Sequence, residues 1–417
     1  MAAFNAQAPR EFAWPAEGVA RVPYPVFFDP AIYTLEQERL FRGPVWNYVA
    51  LEAEVPKPGD FKATFVGETP IVINRGKDGA LHAFVNRCAH RGALVCRELR
   101  GNRLSHLCIY HQWSYDLEGN LIGVPFRKGI DGNGGYAPDF DATQHSLHKL
   151  NIAAYHGLVF VSFAEQVEPL EDYIGPVMRP WLDRVFNRPV KVLGYARQWI
   201  GGNWKLYNEN VRDPYHASLL HLFNATFRLA RSSQIGGSLA DERGRHSLLH
   251  GYQREAEGET AAYTAEGIKT YQAKYALADP SLMETRQEYE IALTFSIHAI
   301  FPCLVVQQIS NTLAARQIVP KGPDAFELIF TFFGYEDDDE EMRVMRIKQA
   351  NLVGPAGFIS LEDGHAIELV QQAIVRDREA SSFIELGGRD VGSQAHLVTE
   401  SSIRGFWQHY RELMGFN

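Results

Sequence analysis

Residues 86–115 read NRCAHRGALVCRELRGNRLSHLCIYHQWSY, and two pairs of metal-binding side chains stand out in them: Cys88-x-His90 and, after seventeen further residues, Cys108-x-x-His111. Thiolate sulfur suits iron and bridging sulfide. Neutral imidazole on one of two irons raises the reduction potential above that of an all-cysteine cluster. A structural zinc site is the competing reading, but zinc patterns pair C-x2–4-C with H-x3–5-H, and a mixed C-x-H pair is unusual among them. The stretch therefore predicts a [2Fe–2S] cluster on Cys88, His90, Cys108 and His111, in loops flanked by Arg91-Gly92 and Gln112-Trp113.

Outward from this stretch, short β-branched runs (FKATFVG at 61–67, TPIVINR at 69–75, HGLVFVSF at 156–163) alternate with turn signals such as PKPGD, GKDG and LEGN. Residues 45–165 thus read as a small all-β unit. Before it, 31–42 (AIYTLEQERLFR) predicts a helix, and 1–44 is expected to pack with whatever follows the β unit. Residues 166–190 read as a connector plus helix. Beyond them strands alternate with helices: VKVLGYARQWI, a helix near 205–222, strands around 290–333, and helices near 338–352 and 400–414. That pattern predicts an α+β domain on an antiparallel sheet over 166–417.

Composition bounds the function. With 46% apolar and 22% charged residues in 417, the chain is ordinary for a globular enzyme, and a net charge of -9 lacks the basic footprint of a nucleic-acid binder. The acidic run Glu336–Glu341 leads into a helical stretch, Met342–Leu352, and reads as a solvated helix start. MAAFNAQAPREFAWP has no apolar core of a signal peptide, and Ile291–Val306 is broken by Thr294, Ser296, His298 and Pro302, which predicts buried strands and no membrane span. Four cysteines make no disulfide scaffold, and cytoplasmic residence is expected.

A second constellation lies at 203–221, NWKLYNENVRDPYHASLLH, where Asp213, His216 and His221 are spaced D-x2-H-x4-H. Asp213 and Pro214 suit a helix start. Five residues on an ideal helix turn a side chain through about 140°, so the two histidines share a metal only if the helix ends or bulges between them. Non-haem iron(II) sites use two histidines and one carboxylate on one face, leaving the other face open. The stretch GPAGFISLEDGHAIELVQQ (354–372) offers Glu362, Asp363 and Glu368 as the missing carboxylate.

Together the constellations resemble the large (alpha) subunits of the Rieske non-haem iron aromatic-ring-hydroxylating oxygenases, along nearly the whole chain. VWNYVALEAEVPKPGDF, NRCAHRGALVCRE, QANLVGPAGFIS and TESSIRGFW carry the likeness, which is strongest toward subunits acting on anthranilate, salicylate and terephthalate. Tyr110 stands where respiratory-type Rieske proteins have a disulfide cysteine, leaving Cys96 without that partner; Cys96 and Cys303 read as buried thiols. The resemblance implies a Rieske domain followed by a helix-grip catalytic domain, and a mononuclear Fe(II) on His216, His221 and Asp363. Glu362 stays open as the alternative ligand, because His365 departs from the acidic pattern of the family. The resemblance also makes Asp213 a carboxylate bridging the two metal centres through His111 and His216, across neighbouring chains of a trimer, and places Asn210 beside the iron. It implies a small (beta) subunit in an α3β3 assembly, with a ferredoxin and an NAD(P)H-dependent reductase as separate chains; no G-x-G-x-x-G motif is evident here.

Substrates of this kind carry a carboxylate, and arginine engages one through two parallel hydrogen bonds. Arg316 and Arg404 match carboxylate-binding positions of the terephthalate enzymes, while SLLHG (247–251) departs from them and favours a monocarboxylate. Phe223, Asn224 and Phe227, just past the histidine pair, are candidate pocket walls. The expected reaction is dioxygenation of anthranilate to catechol with loss of CO2 and ammonia, or 5-hydroxylation of salicylate. A Rieske electron carrier without chemistry of its own, or a helix-grip binding module, are the rival classes.

Overall fold

The computed structural model describes residues 13–252 and 259–416. Residues 1–12 lie outside them, so the reading of the extreme N-terminus is not addressed by the fold. The chain divides into two compact units: Phe41–Leu170, and the residues up to Leu40 together with those from Glu171 onward. No helix among the described residues is long and apolar enough to cross a membrane.

The first unit is all-β. Asp60–Val66, Thr69–Arg75, Leu81–Val85 and Arg100–Asn102 form one antiparallel sheet, Asn47–Leu51 pairs with the hairpin Asn151–Tyr155/Leu158–Ser162, and three very short strands (His106–Leu107, Ser114–Tyr115, Leu121–Gly123) make a third. Its core packs Phe61, Val72, Phe84, Trp113 and Tyr115 against Cys88, Cys96 and Cys108. The candidate thiols thus belong to the apolar core, and Cys96 and Cys303 are buried as well.

The second unit is built on a seven-stranded antiparallel sheet of β1 (Val190–Ile200), β2 (Gly236–Ala240), β3 (Ser247–Tyr252), β4 (Leu293–Ile300), β5 (Leu304–Ile309), β6 (Thr312–Pro320) and β7 (Phe326–Tyr335), in the order β1-β7-β6-β5-β4-β3-β2. β2 to β7 meander, and β1 adds to the free edge of β7. The apolar stretch around 291–306 became β4 and the start of β5. Every residue of β6 is buried, the polar Thr312, Arg316 and Gln317 included.

Helices fix the functional segments to this sheet. In α1 (Pro30–Glu36), capped by Asp29, the fully buried Glu36 accepts from Lys205 Nζ (2.5 Å), Trp204 Nε1 (2.8 Å) and Tyr410 Oη (2.5 Å). One carboxylate so ties α1 to α2 (Trp204–Asn210) and to the C-terminal helix Ser401–Met414, and it neutralises a buried lysine that would otherwise be costly. The expected single helix near 205–222 is three pieces: α2, α3 (Ala217–Leu220) and α4 (Leu222–Phe227). The breaks have local causes. Asp213 draws its carboxylate onto the amides of Tyr215 (2.8 Å) and His216 (3.3 Å), and His221 takes an extended conformation (φ -95°, ψ 106°) between α3 and α4.

The acidic run departs in part from a solvated helix start. Asp339 caps α5 (Glu340–Val353) by accepting from Met342 N (2.7 Å), with Glu340 and Glu341 in the first turn. Asp338, however, is buried against Arg346 (2.7 Å). The helix α6 (Phe358–Ile374) was not anticipated as an element. It is pinned beside β1 and α2 by Gln198 Nε2 donating to Ser360 O (3.0 Å), Gly201 N to Glu368 (3.1 Å) and Asn203 N to Gln371 (2.9 Å). A Cβ at Gly364 would sit 2.6 Å from Gln198 Nε2, so a larger residue right after Asp363 would displace the amide that pins α6 to β1.

Candidate metal centres and the cavity beside one of them

In the β unit the two ligand loops share one hydrogen-bond pattern. Cys88 N donates to Ala93 O (2.8 Å) and Gly92 N to Cys88 O (3.0 Å); Cys108 N donates to Trp113 O (2.9 Å) and Gln112 N to Cys108 O (2.9 Å). Each loop needs a left-handed residue four places after its cysteine, filled by Gly92 (φ 77°) and by Gln112 (φ 57°). The thiols point into the core while His90 and His111 stand half-buried at its rim, their ring centres 4.5 Å apart. Trp113 stacks on His90 at 4.8 Å. Tyr115 accepts from Ala89 N (3.1 Å), which leaves its own O–H to face Cys88 Sγ at 3.2 Å. Burial and this sulfur push the phenol pKa up, so it stays a donor to a thiolate. His90 Nδ1 is buried without a partner among the described residues. Two inward thiols, two rim imidazoles and an unused ring nitrogen fit a cluster ligated by sulfur on its inner side and nitrogen on its outer side.

In the second unit the broken helix solves the spacing problem. With the chain extended at His221, its ring turns back toward that of His216, and the centres are 5.5 Å apart. Asp363, projected from α6, places Oδ1 3.4 Å from His216 Nε2 and 3.1 Å from His221 Nε2. The three ligand atoms lie within 4.8 Å of one another. The far nitrogens are also engaged: Asp213 Oδ2 is 3.2 Å from His216 Nδ1, and Glu362 Oε2 is 2.7 Å from His221 Nδ1. A carboxylate on each Nδ1 sets the tautomer that leaves Nε2 to a metal. Asn210 Nδ2 donates to Asp363 Oδ1 (3.0 Å) and stands 3.3 Å from His216 Nε2. Two histidines and one carboxylate converging at one side of a cavity fit a mononuclear iron(II). The structure brings Asp363 to the two Nε2 atoms and Glu362 to the opposite side of one ring; His365 is exposed.

The cavity beside these ligands encloses about 700 Å3, counted out to solvent. Leu249, Phe295, Ile297, Ile309, Ile359 and Leu397 give it apolar walls, and Asn210, Asp213, Asn224 and Arg316 also line it. Arg316 is only 7% exposed. Its Nη1 donates to Tyr207 Oη (2.7 Å), its guanidinium lies 5.0 Å over the Phe330 ring, and its Nε has no partner. No carboxylate among the described residues pairs with it. Arg231 reaches the same cavity, but its Nε donates to Ala225 O (2.7 Å) and its guanidinium lies 5.0 Å from the Tyr263 ring and 5.4 Å from that of Tyr271.

Three candidates, Arg404, Phe223 and Phe227, do not line the cavity. Arg404 is fully buried on the C-terminal helix, where it donates to Asp390 O (2.8 Å), Ile384 O (3.2 Å) and Leu386 O (3.2 Å); it does not line the cavity. Carbonyls of an irregular segment need buried donors, and Arg404 supplies them. The Phe223 ring lies tilted against that of Phe227 (4.9 Å) and packs against Leu229, Leu352, Val353 and Ile359, one layer behind the wall. Sequence reasoning missed Tyr207, Arg231 and the apolar walls. They come from α2, α6, two loops and three strands, and no local pattern distinguishes them from core.

Comparison with known proteins agrees with this geometry. Residues 45–134 match the Rieske [2Fe-2S] domain, and residues 179–415 match the ring hydroxylating alpha subunit (catalytic domain). The chain is 55% identical to the anthranilate 1,2-dioxygenase large subunit of Burkholderia cepacia over 97% of its own length and 95% of that protein. It is 47% identical to terephthalate 1,2-dioxygenase, terminal oxygenase component subunit alpha 2, of Comamonas sp, over 96% and 97% of the two chains. Salicylate 5-hydroxylase, large oxygenase component, of Ralstonia sp is 42% identical over 98% and 97%. Among solved structures, naphthalene 1,2-dioxygenase from Rhodococcus sp. bound to indole superposes with a TM-score of 0.76 at 22% identity, covering 94% of each chain, and so shares the fold.

Proposed function

Since this chain belongs to the ring-hydroxylating alpha subunits and is a Rieske non-haem iron oxygenase, we propose that it hydroxylates an aromatic monocarboxylate, with anthranilate as the substrate. The observation that carries the reading is Arg316: a buried cation with no carboxylate partner among the described residues, in the cavity that also holds His216, His221 and Asp363. A buried charge left uncompensated is costly, and a substrate carboxylate would compensate this one.

The family's [2Fe–2S] cluster delivers single electrons and its mononuclear iron activates O2. The residues that would hold the cluster are Cys88, His90, Cys108 and His111; those for the iron are His216, His221 and Asp363. Arg316, steadied by Tyr207, orients the carboxylate and thereby the ring carbons next to it. The apolar walls flank the ring and exclude water. Asp213 and Glu362 keep the Nδ1 protons of His216 and His221, so that Nε2 of each ring stays a lone-pair donor. Asn210 holds Asp363 Oδ1 in place. With anthranilate, two hydroxyls added at the carbons bearing the carboxyl and amino groups lead to catechol as CO2 and ammonia leave. Separate ferredoxin and NAD(P)H-dependent reductase chains, a small subunit in an α3β3 assembly and a cytoplasmic location complete the proposal.

Product analysis with labelled O2 in the reconstituted system tests it. Catechol carrying both labelled atoms from anthranilate is expected; gentisate formed from salicylate, with anthranilate untouched, would move the assignment to 5-hydroxylation. Metal analysis separates the different-class rival, since a bare electron carrier holds two irons per chain and an oxygenase three.

A further inference from the structure

We infer that Asn224 is the residue that selects aromatic acids carrying a ring N–H donor, by offering its side-chain carbonyl to that donor; the inference rests on the aromatic-acid reading of the cavity. Asn224 lies on α4, three residues after His221, and lines the same cavity as Arg316. It is 5% exposed. Its Nδ2 donates to Ala217 O at 3.0 Å. A backbone carbonyl only accepts, so this bond fixes which end of the amide is which: the nitrogen faces the backbone and Oδ1 is left over. Oδ1 is buried and has no hydrogen-bond partner among the described residues.

A buried carbonyl without a donor is unfavourable, and native structures leave few of them. Apart from the candidate metal ligands, two residues that line the cavity each hold a buried polar atom without a partner among the described residues, and the two are of opposite kind: a donor on Arg316 Nε and an acceptor on Asn224 Oδ1. The ligand that satisfies both carries an anion and an N–H on one small apolar frame. An aminobenzoate does. A ring with two carboxylates does not, because the carbonyl dipole of Asn224 would face a second anion. A site that hydrogen-bonds a donor rejects an analogue lacking it, since the buried acceptor is then stranded.

The discriminating pair is anthranilate and 2-methylbenzoate, which match in size and charge and differ in the N–H. Equilibrium binding of each acid to the purified, iron-loaded enzyme under argon reads the difference without turnover. The expected result is anthranilate binding about tenfold more tightly than 2-methylbenzoate. In Asn224→Leu that preference disappears, with 2-methylbenzoate held at least as well as before. Equal affinity of the wild type for the two acids overturns the inference while leaving the aromatic-acid site standing, and so does a preference that survives Asn224→Leu. Should the variant lose its iron, the wild-type comparison alone decides. If neither acid binds the wild type, the aromatic-acid reading itself fails and the role of Asn224 falls with it.

Discussion

Glu362 and Asp363 are consecutive in the chain and address opposite nitrogens of one imidazole: Glu362 Oε2 lies 2.7 Å from His221 Nδ1, and Asp363 Oδ1 lies 3.1 Å from His221 Nε2. Successive residues on a helix diverge by about 100°, so two neighbouring carboxylates can reach both edges of a ring seated against the helix. On the proposed reading Asp363 would hold the metal and Glu362 would orient the ring that shares it. Asp363→Ala should abolish mononuclear iron binding, with the Rieske absorbance intact. Glu362→Gln should keep the site but weaken Fe(II) affinity by roughly tenfold to a hundredfold. Metal analysis after dialysis against graded chelator checks both, and equal losses in the two variants would contradict the division of roles.

Asp213 holds the other imidazole. Its Oδ1 is spent on the amides of Tyr215 and His216, and its Oδ2 faces His216 Nδ1 at 3.2 Å. Asp213→Asn keeps the shape and the amide acceptor but removes the charge. Iron content should remain near wild type while turnover falls roughly a hundredfold. Steady-state kinetics alongside metal analysis would show this, and a turnover within twofold of wild type would exclude a role for the charge.

For Arg316, the expectation separates charge from shape. Arg316→Gln should weaken binding of anthranilate by about a hundredfold, since a desolvated charge-assisted contact is lost. Binding of the neutral analogue 2-aminobenzamide should change severalfold at most. A parallel loss for both compounds would mean that the variant damages the cavity instead of removing a carboxylate contact.

Glu209 provides the pH-dependent test. Burial pushes its carboxyl up to about 8; the indole N–H of Trp407 at 2.7 Å opposes this, and the charges of Asp213 and Glu400 reinforce it. A group whose pKa is higher in the folded chain contributes stability below its ordinary value near 4.5, and that contribution is lost as pH rises toward about 8. Glu209→Gln keeps an acceptor for Trp407 and removes the titration. Its Tm relative to wild type should rise between pH 5 and pH 8. Thermal denaturation at the two pH values measures this, and a pH-independent difference would contradict it.

Chemical identity was legible in the chain itself. Cys88-x-His90 and Cys108-x-x-His111 lie on tight loops, so their spacing nearly determines their geometry, and the turn chemistry of Gly92 completes it. The all-β character of the first unit and most strands of the second were equally visible, because alternation and turn residues are local signals. Asp213, His216 and His221 announced a metal by type but left its geometry open, since an unbroken helix would have sent the two rings apart. Only the folded chain decided that the helix breaks at His221, that Asp363 and not Glu362 meets the two Nε2 atoms, and that Arg316 enters the cavity while Arg404 serves backbone carbonyls. The meeting of Asp363 with the histidines depends on contacts between segments more than a hundred residues apart, such as α6 pinned to β1 through Gln198 and Ser360. Local sequence sets which side chains are available for chemistry; long-range packing sets which of them face one another.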